Sequence, residues 1–90
     1  MLTINMFSTK ESYKNYLSEN ISGVNRAIAT YKKNLVDAQN GVGREQFLKI
    51  NLIPDDCADE YWNHHIEWIA DYLKSLERKL KRFQRELQKI

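Results

Sequence analysis

Glycine and proline are scarce in this chain: three and one among 90 residues. A sequence with so few turn-forming residues favours long uninterrupted elements, which points to helix. Cysteine occurs once, at Cys57. That excludes an internal disulfide framework and fits a reducing compartment. No apolar run approaches the roughly 20 residues needed to span a bilayer, so no membrane segment is expected. The first dozen residues, with Lys10 and Glu11 among them, lack the charged start and long apolar core of a signal peptide. These absences lead to the expectation of a cytoplasmic protein folded as one domain over residues 1–90, with no room for a second core.

Charge, by contrast, is plentiful, at 29% of residues, and it is segregated. The net charge is +2, yet residues 74–90 hold seven basic and two acidic side chains, a local charge of +5. The rest of the chain therefore carries −3. The whole-chain figure conceals two surfaces of opposite sign.

The strongest pattern is periodic. Apolar side chains fall at Trp62, Ile66, Ile69, Leu73, Leu76, Leu80, Phe83, Leu87 and Ile90, in alternating steps of four and three. A strand would need period two; this spacing keeps one face of a helix apolar over four heptads. The pattern predicts a helix over about 56–89. Asp55 and Asp56 are placed to cap it, and Asp59 and Glu60 lie where its dipole favours negative charge. A second stripe, Leu17, Ile21, Val24, Ile28, Tyr31, Leu35, Ala38 and then Val42, predicts a helix over about 9–39. Ser8 with Glu11 reads as its capping box, and Asn40-Gly41 as its stop. Gly23 inside it lowers helix propensity and marks either a kink or a close approach of the partner helix. At about 1.5 Å per residue the two helices would be about 45 and 50 Å long, so the molecule should be a rod.

The expected fold class is all-α: an elongated antiparallel helical hairpin, coiled-coil-like, its stripes facing each other across a connection at 40–55. That connection is too apolar to be plain loop. A short third helix over Arg44–Ile50 is the first reading. An extended segment is the alternative, because residues 48–52 alternate as residues 2–6 do, which would allow a minor two-stranded pairing of 2–6 with 48–52.

Catalytic signatures are missing. Gly41-Val42-Gly43 lacks the lysine and hydroxyl residue of a phosphate loop, and no nucleophile elbow appears. Cys57 has carboxylate neighbours, which should raise its thiol pKa and make it a poor nucleophile. Cys57, Glu60, His64, His65 and Glu67 invite a metal reading, but the facing stripe offers no further ligands for a closed site. The expectation is no enzyme, no metal, no cofactor and no small-molecule substrate.

Binding is the more plausible work. The apolar surface of the last helix widens beyond its seam at Tyr61, Trp68, Ala70 and Tyr72. A single facing helix covers only a narrow seam, so these side chains need other cover. Either residues 47–53 or a second molecule could supply it. Tyr61, Trp62, Trp68 and Tyr72 are therefore the expected partner or dimer contact. Lys74, Arg78, Lys81, Arg82, Arg85 and Lys89 fall on the side away from the seam. They form a basic face that could follow nucleic-acid phosphates but offers no base-reading element. The leading expectation is a protein–protein interaction module, a small inhibitor, adaptor or assembly factor of the kind phages and mobile elements encode. A homodimer fits the same surface. The alternatives are a nucleic-acid-associated protein using the basic face, and a purely structural coiled-coil subunit.

Overall fold

A computed structural model describes residues 9–90, and among them every regular element is helical. Helix α1 spans Lys10–Gln39, α2 spans Arg44–Ile50, and α3 spans Ala58–Gln88, preceded by a 3-10 turn at Asp55–Cys57. The long helices contain 30 and 31 residues. The molecule measures 57 × 21 × 16 Å, the elongated shape that two such lengths of helix impose.

Helix α1 is capped by Thr9, whose side-chain oxygen accepts from the Ser12 backbone N–H at 3.1 Å. The expected Ser8–Glu11 box is thus displaced by one residue, and Ser8 itself lies outside the described residues. At the other end Gly41, at φ 82°, turns the chain out of the helix. The Gly41 N–H donates to Ala38 O at 3.0 Å and the Val42 N–H to Asp37 O at 2.9 Å. This is the Schellman pattern, which satisfies carbonyls the helix would otherwise leave open. It also lifts Val42 off the stripe, so that this residue is 60% exposed.

The connection is helical, as its first reading had it. Residues 48–50 belong to α2, so the extended alternative does not form on that side; residues 2–6 lie outside the described residues. The helical form lets Phe47 turn inward onto Trp62, with ring centroids 5.4 Å apart. It ends in a second Schellman turn: Leu52 N–H donates to Lys49 O at 3.2 Å and Ile53 N–H to Leu48 O at 3.0 Å. Here the left-handed position is held by Leu52, at φ 54°. The aspartates do not cap α3. Its N-cap is Cys57, without a side-chain cap bond, while Asp55 and Asp56 occupy the 3-10 turn.

Helix α1 packs along α3. Val24 and Ile28 cluster with Leu73 and Leu76, flanked by Leu80 and Phe83. Ala38 clusters with Trp62 and Ile69, flanked by Phe47 and Ile66. Late residues of α1 thus meet early residues of α3, and earlier residues meet later ones. Burial of each large side chain contributes roughly 1.5–3 kcal/mol. The seam is well buried at Trp62, Ile69, Leu73 and Leu76 and loosens toward Ile90, which is 43% exposed. Gly23 sits on this helix without any close approach: a Cβ placed there would meet only the Arg26 guanidinium, at 4.0 Å.

Candidate interaction surface

Beside its buried seam, α3 carries a second line of side chains. Tyr61, His65, Trp68 and Tyr72 recur at steps of four, three and four, which places them on one face about a quarter-turn from the core. Trp68 is 56% exposed, Tyr61 49% and Tyr72 39%. Trp62, grouped with them in the sequence reading, belongs elsewhere. It is 5% exposed and its indole N–H donates to Ala38 O at 3.2 Å. Its place in the stripe points it at α1, so it is a core residue and the exposed group reduces to three.

Local contacts hold Trp68 and Tyr72 in place. Trp68 and Tyr72 are one helical turn apart and stack with centroids 5.5 Å apart and planes inclined by 1°. Tyr31 of α1 meets the Tyr72 ring edge-on at 4.8 Å. Offset-stacked and edge-to-face pairs are favoured geometries for aromatic rings. The row Tyr31–Tyr72–Trp68 is therefore ordered without being covered. The connection does not shield it: Phe47 packs on Trp62 and His65, while Ile50 and Leu52 are 79% and 88% exposed.

An open groove of about 330 Å3 adjoins this row, lined among others by Tyr31, Asn34, Asp37, Val42, His65 and Trp68. Its walls come from the end of α1 and the first half of α3. The Schellman turn contributes to it, because Val42 and Gly43 are among its lining residues. His65 is half-buried against Phe47 at 4.5 Å and Trp62 at 5.2 Å. It is part of an aromatic cluster.

The cations of the second half of α3 face solvent. Lys74, Arg78, Lys81, Arg82, Arg85 and Lys89 are all exposed, and so is Lys79. Lys89 pairs with Glu86 at 3.4 Å, and the Arg82 guanidinium lies 5.7 Å from the Phe83 ring. The other six cations form no ion pair among the described residues.

At the other end of α3, Asp59 is bonded by Arg44 of α2. Cys57 is half-buried. The Asp56 carboxylate beside it, helped by desolvation and by Glu60, holds its thiol above the ordinary range. This is the direction its neighbours predicted. No group of three or more His, Cys, Asp or Glu side chains among the described residues is placed to hold a metal ion. No helix among them is long and apolar enough to cross a membrane.

Two features of the surface escaped the sequence reading. Tyr31 was assigned to the seam, and its edge contact with Tyr72 depends on how far α1 is rotated about its own axis. Leu52 in a left-handed conformation has no sequence signal, because leucine seldom adopts it. The chain matches no known protein-family model, no curated protein and no solved structure.

Proposed function

We propose that this chain is a non-enzymatic protein–protein interaction module whose contact surface is the aromatic face of α3, centred on Tyr61, Trp68 and Tyr72. The frame is a stiff antiparallel helical hairpin of coiled-coil type, a reading supported by the reversed order in which α1 and α3 residues cluster. One observation carries the functional reading. Three large aromatic side chains lie on one helix face and are left 39–56% exposed, and two of them, Trp68 and Tyr72, are pre-ordered by stacking. Exposed aromatic surface of this kind marks contact sites, and Trp and Tyr dominate interface energies because they bury much area at little entropic loss. The opposite charges at the two ends of α3 would set orientation and speed encounter. Such a surface on so small a frame fits a role as inhibitor, adaptor or assembly factor, with the cytoplasm as the setting this reading expects. The guarded thiol of Cys57 and the openness of the groove speak against catalysis.

The test is affinity capture from the native cell with the intact chain and with Trp68→Ser/Tyr72→Ser. Partner recovery should fall sharply in the variant while its helicity is unchanged. Equal recovery would overturn the reading.

A second reading draws on the six cations of α3 that form no ion pair among the described residues. Exposed cations along about 20 Å of helix would suit phosphate contact without base recognition. Reversing Lys81, Arg82 and Arg85 to Glu should then abolish salt-sensitive nucleic-acid binding; if the unaltered chain binds none, this reading fails.

A further inference from the structure

We infer that the aromatic face of α3 is covered by a second copy of this chain, related by a two-fold axis that sets the two α3 helices antiparallel. The inference rests on the reading of that face as a contact surface and commits to its occupant. Charge complementarity selects the occupant. Residues 55–71 hold six acidic side chains and no basic one, and residues 74–90 carry +5. Tyr61, Trp68 and Tyr72 stand on the acidic half and reach its boundary with the basic one. Two copies laid side by side in parallel would oppose acid to acid and base to base. Laid antiparallel, each acidic half faces a basic half, and the match occurs twice.

Register follows from the rings. A two-fold contact that places Trp68 of one copy on Tyr72 of the other is isologous, so the same contact repeats across the axis. It brings four aromatic rings together at the centre. Because both helices rise equally per residue, Glu60 of one copy then lies level with residue 80 of the other, between Arg78 and Arg82. Lys79 comes opposite Tyr61. The parallel planes of Trp68 and Tyr72, inclined by 1°, already present a flat apolar platform of the sort a symmetric contact requires. The groove lined by Trp68 and His65 of the same face would give the second copy's Tyr72 a place to settle.

Sedimentation equilibrium and light scattering on the full chain test this, using three proteins: the unaltered chain, Asp56→Lys/Glu60→Lys, and Lys79→Glu/Arg82→Glu. The unaltered chain should be a dimer at low salt and dissociate progressively as salt is added. Each variant alone should dimerise more weakly by on the order of a hundredfold, since like charges then face each other at both symmetric ends. Mixed in equal amounts, the two variants should form a heterodimer, with circular dichroism verifying that each is helical. A strictly monomeric unaltered chain would overturn the inference, as would association strengthened by salt, or a mixture that stays monomeric. A monomer whose Trp68→Ser/Tyr72→Ser variant still loses its cellular partner would sink the dimer alone. A monomer indifferent to those substitutions would sink the contact surface as well.

Discussion

The indole N–H of Trp62, in the second turn of α3, donates to the carbonyl oxygen of Ala38, near the end of α1, at 3.2 Å. The same oxygen accepts from the Gly41 N–H that closes the Schellman turn, at 3.0 Å. One buried acceptor thereby joins the end of one long helix, the turn that leaves it and the start of the other. Phe47 and His65 pack around the indole, so α2 is held at the same point.

Trp62 should accordingly be the most sensitive position in the chain. Trp62→Phe is expected to lower stability by about 1–2 kcal/mol, the lost hydrogen bond plus imperfect packing, because Gly41 still satisfies the carbonyl. Trp62→Ala should lower it by about 3–5 kcal/mol, a large share of what a small domain possesses. Urea titration followed by circular dichroism measures both, and equal losses would contradict a role for the ring.

Gly23→Ala should stabilise the protein by about 0.5–1 kcal/mol, since an alanine forms helix more readily and the space for its methyl is open. In a chain of this size that corresponds to a thermal midpoint raised by about 2–8 °C. A lowered midpoint would show that α1 needs the glycine for a close contact.

Leu52 presents the opposite case. It holds a left-handed conformation that costs a non-glycine residue about 1–2 kcal/mol, and at 88% exposure it has little packing to lose. Leu52→Gly should raise stability by about 0.5–1 kcal/mol after the entropy of the freer unfolded chain is deducted. The urea midpoint should rise at unchanged slope. A fall would mean that the side chain makes contacts its exposure does not register.

Trp68→Ser should leave the isolated chain's stability within about 1 kcal/mol of the original, because the ring is more than half exposed and loses mainly its stack on Tyr72. A larger loss, read by thermal melting of dilute protein, would assign the ring to the fold instead of to contact.

For Cys57 the sign is set by its neighbours. Asp56 foremost raises the thiol pKa, so at any pH below that value less thiolate is present than in a free cysteine. Alkylation by iodoacetamide should be slow near neutrality and its pH midpoint displaced upward. Asp56→Asn should move the midpoint back down and speed alkylation at fixed pH. If the two proteins react at the same rate across the pH range, Asp56 is not the cause.

Local pattern predicted a good deal of this fold. The step of four and three at Trp62, Ile66, Ile69 and Leu73 declares a helix face because helical geometry leaves such a stripe no other arrangement. Asn40-Gly41 announced a stop because glycine takes the positive φ of such a turn without strain. The α2 bounds were legible too, although the alternating 48–52 segment permitted a strand. What decided against it was the inward contact of Phe47 with Trp62, which is tertiary. The cap of α3 was misplaced for a related reason: Pro54 and the chain's path back toward α1 draw Asp55 and Asp56 into a 3-10 turn.

Periodicity and charge order are properties of the chain taken residue by residue, so the sequence alone determined that there are two long helices, which face of each is apolar, and that α3 is acidic at its start and basic at its end. It could not apportion Tyr61, Trp62, Trp68 and Tyr72 between core and surface. That depends on the rotation of α1 about α3, and only the tertiary structure decided it, by sending the Trp62 indole to Ala38 and leaving Trp68 against Tyr72 in the open. Neighbouring residues on a helix differ by about 100° in direction, and a few tens of degrees of rotation separate a buried ring from a contact surface.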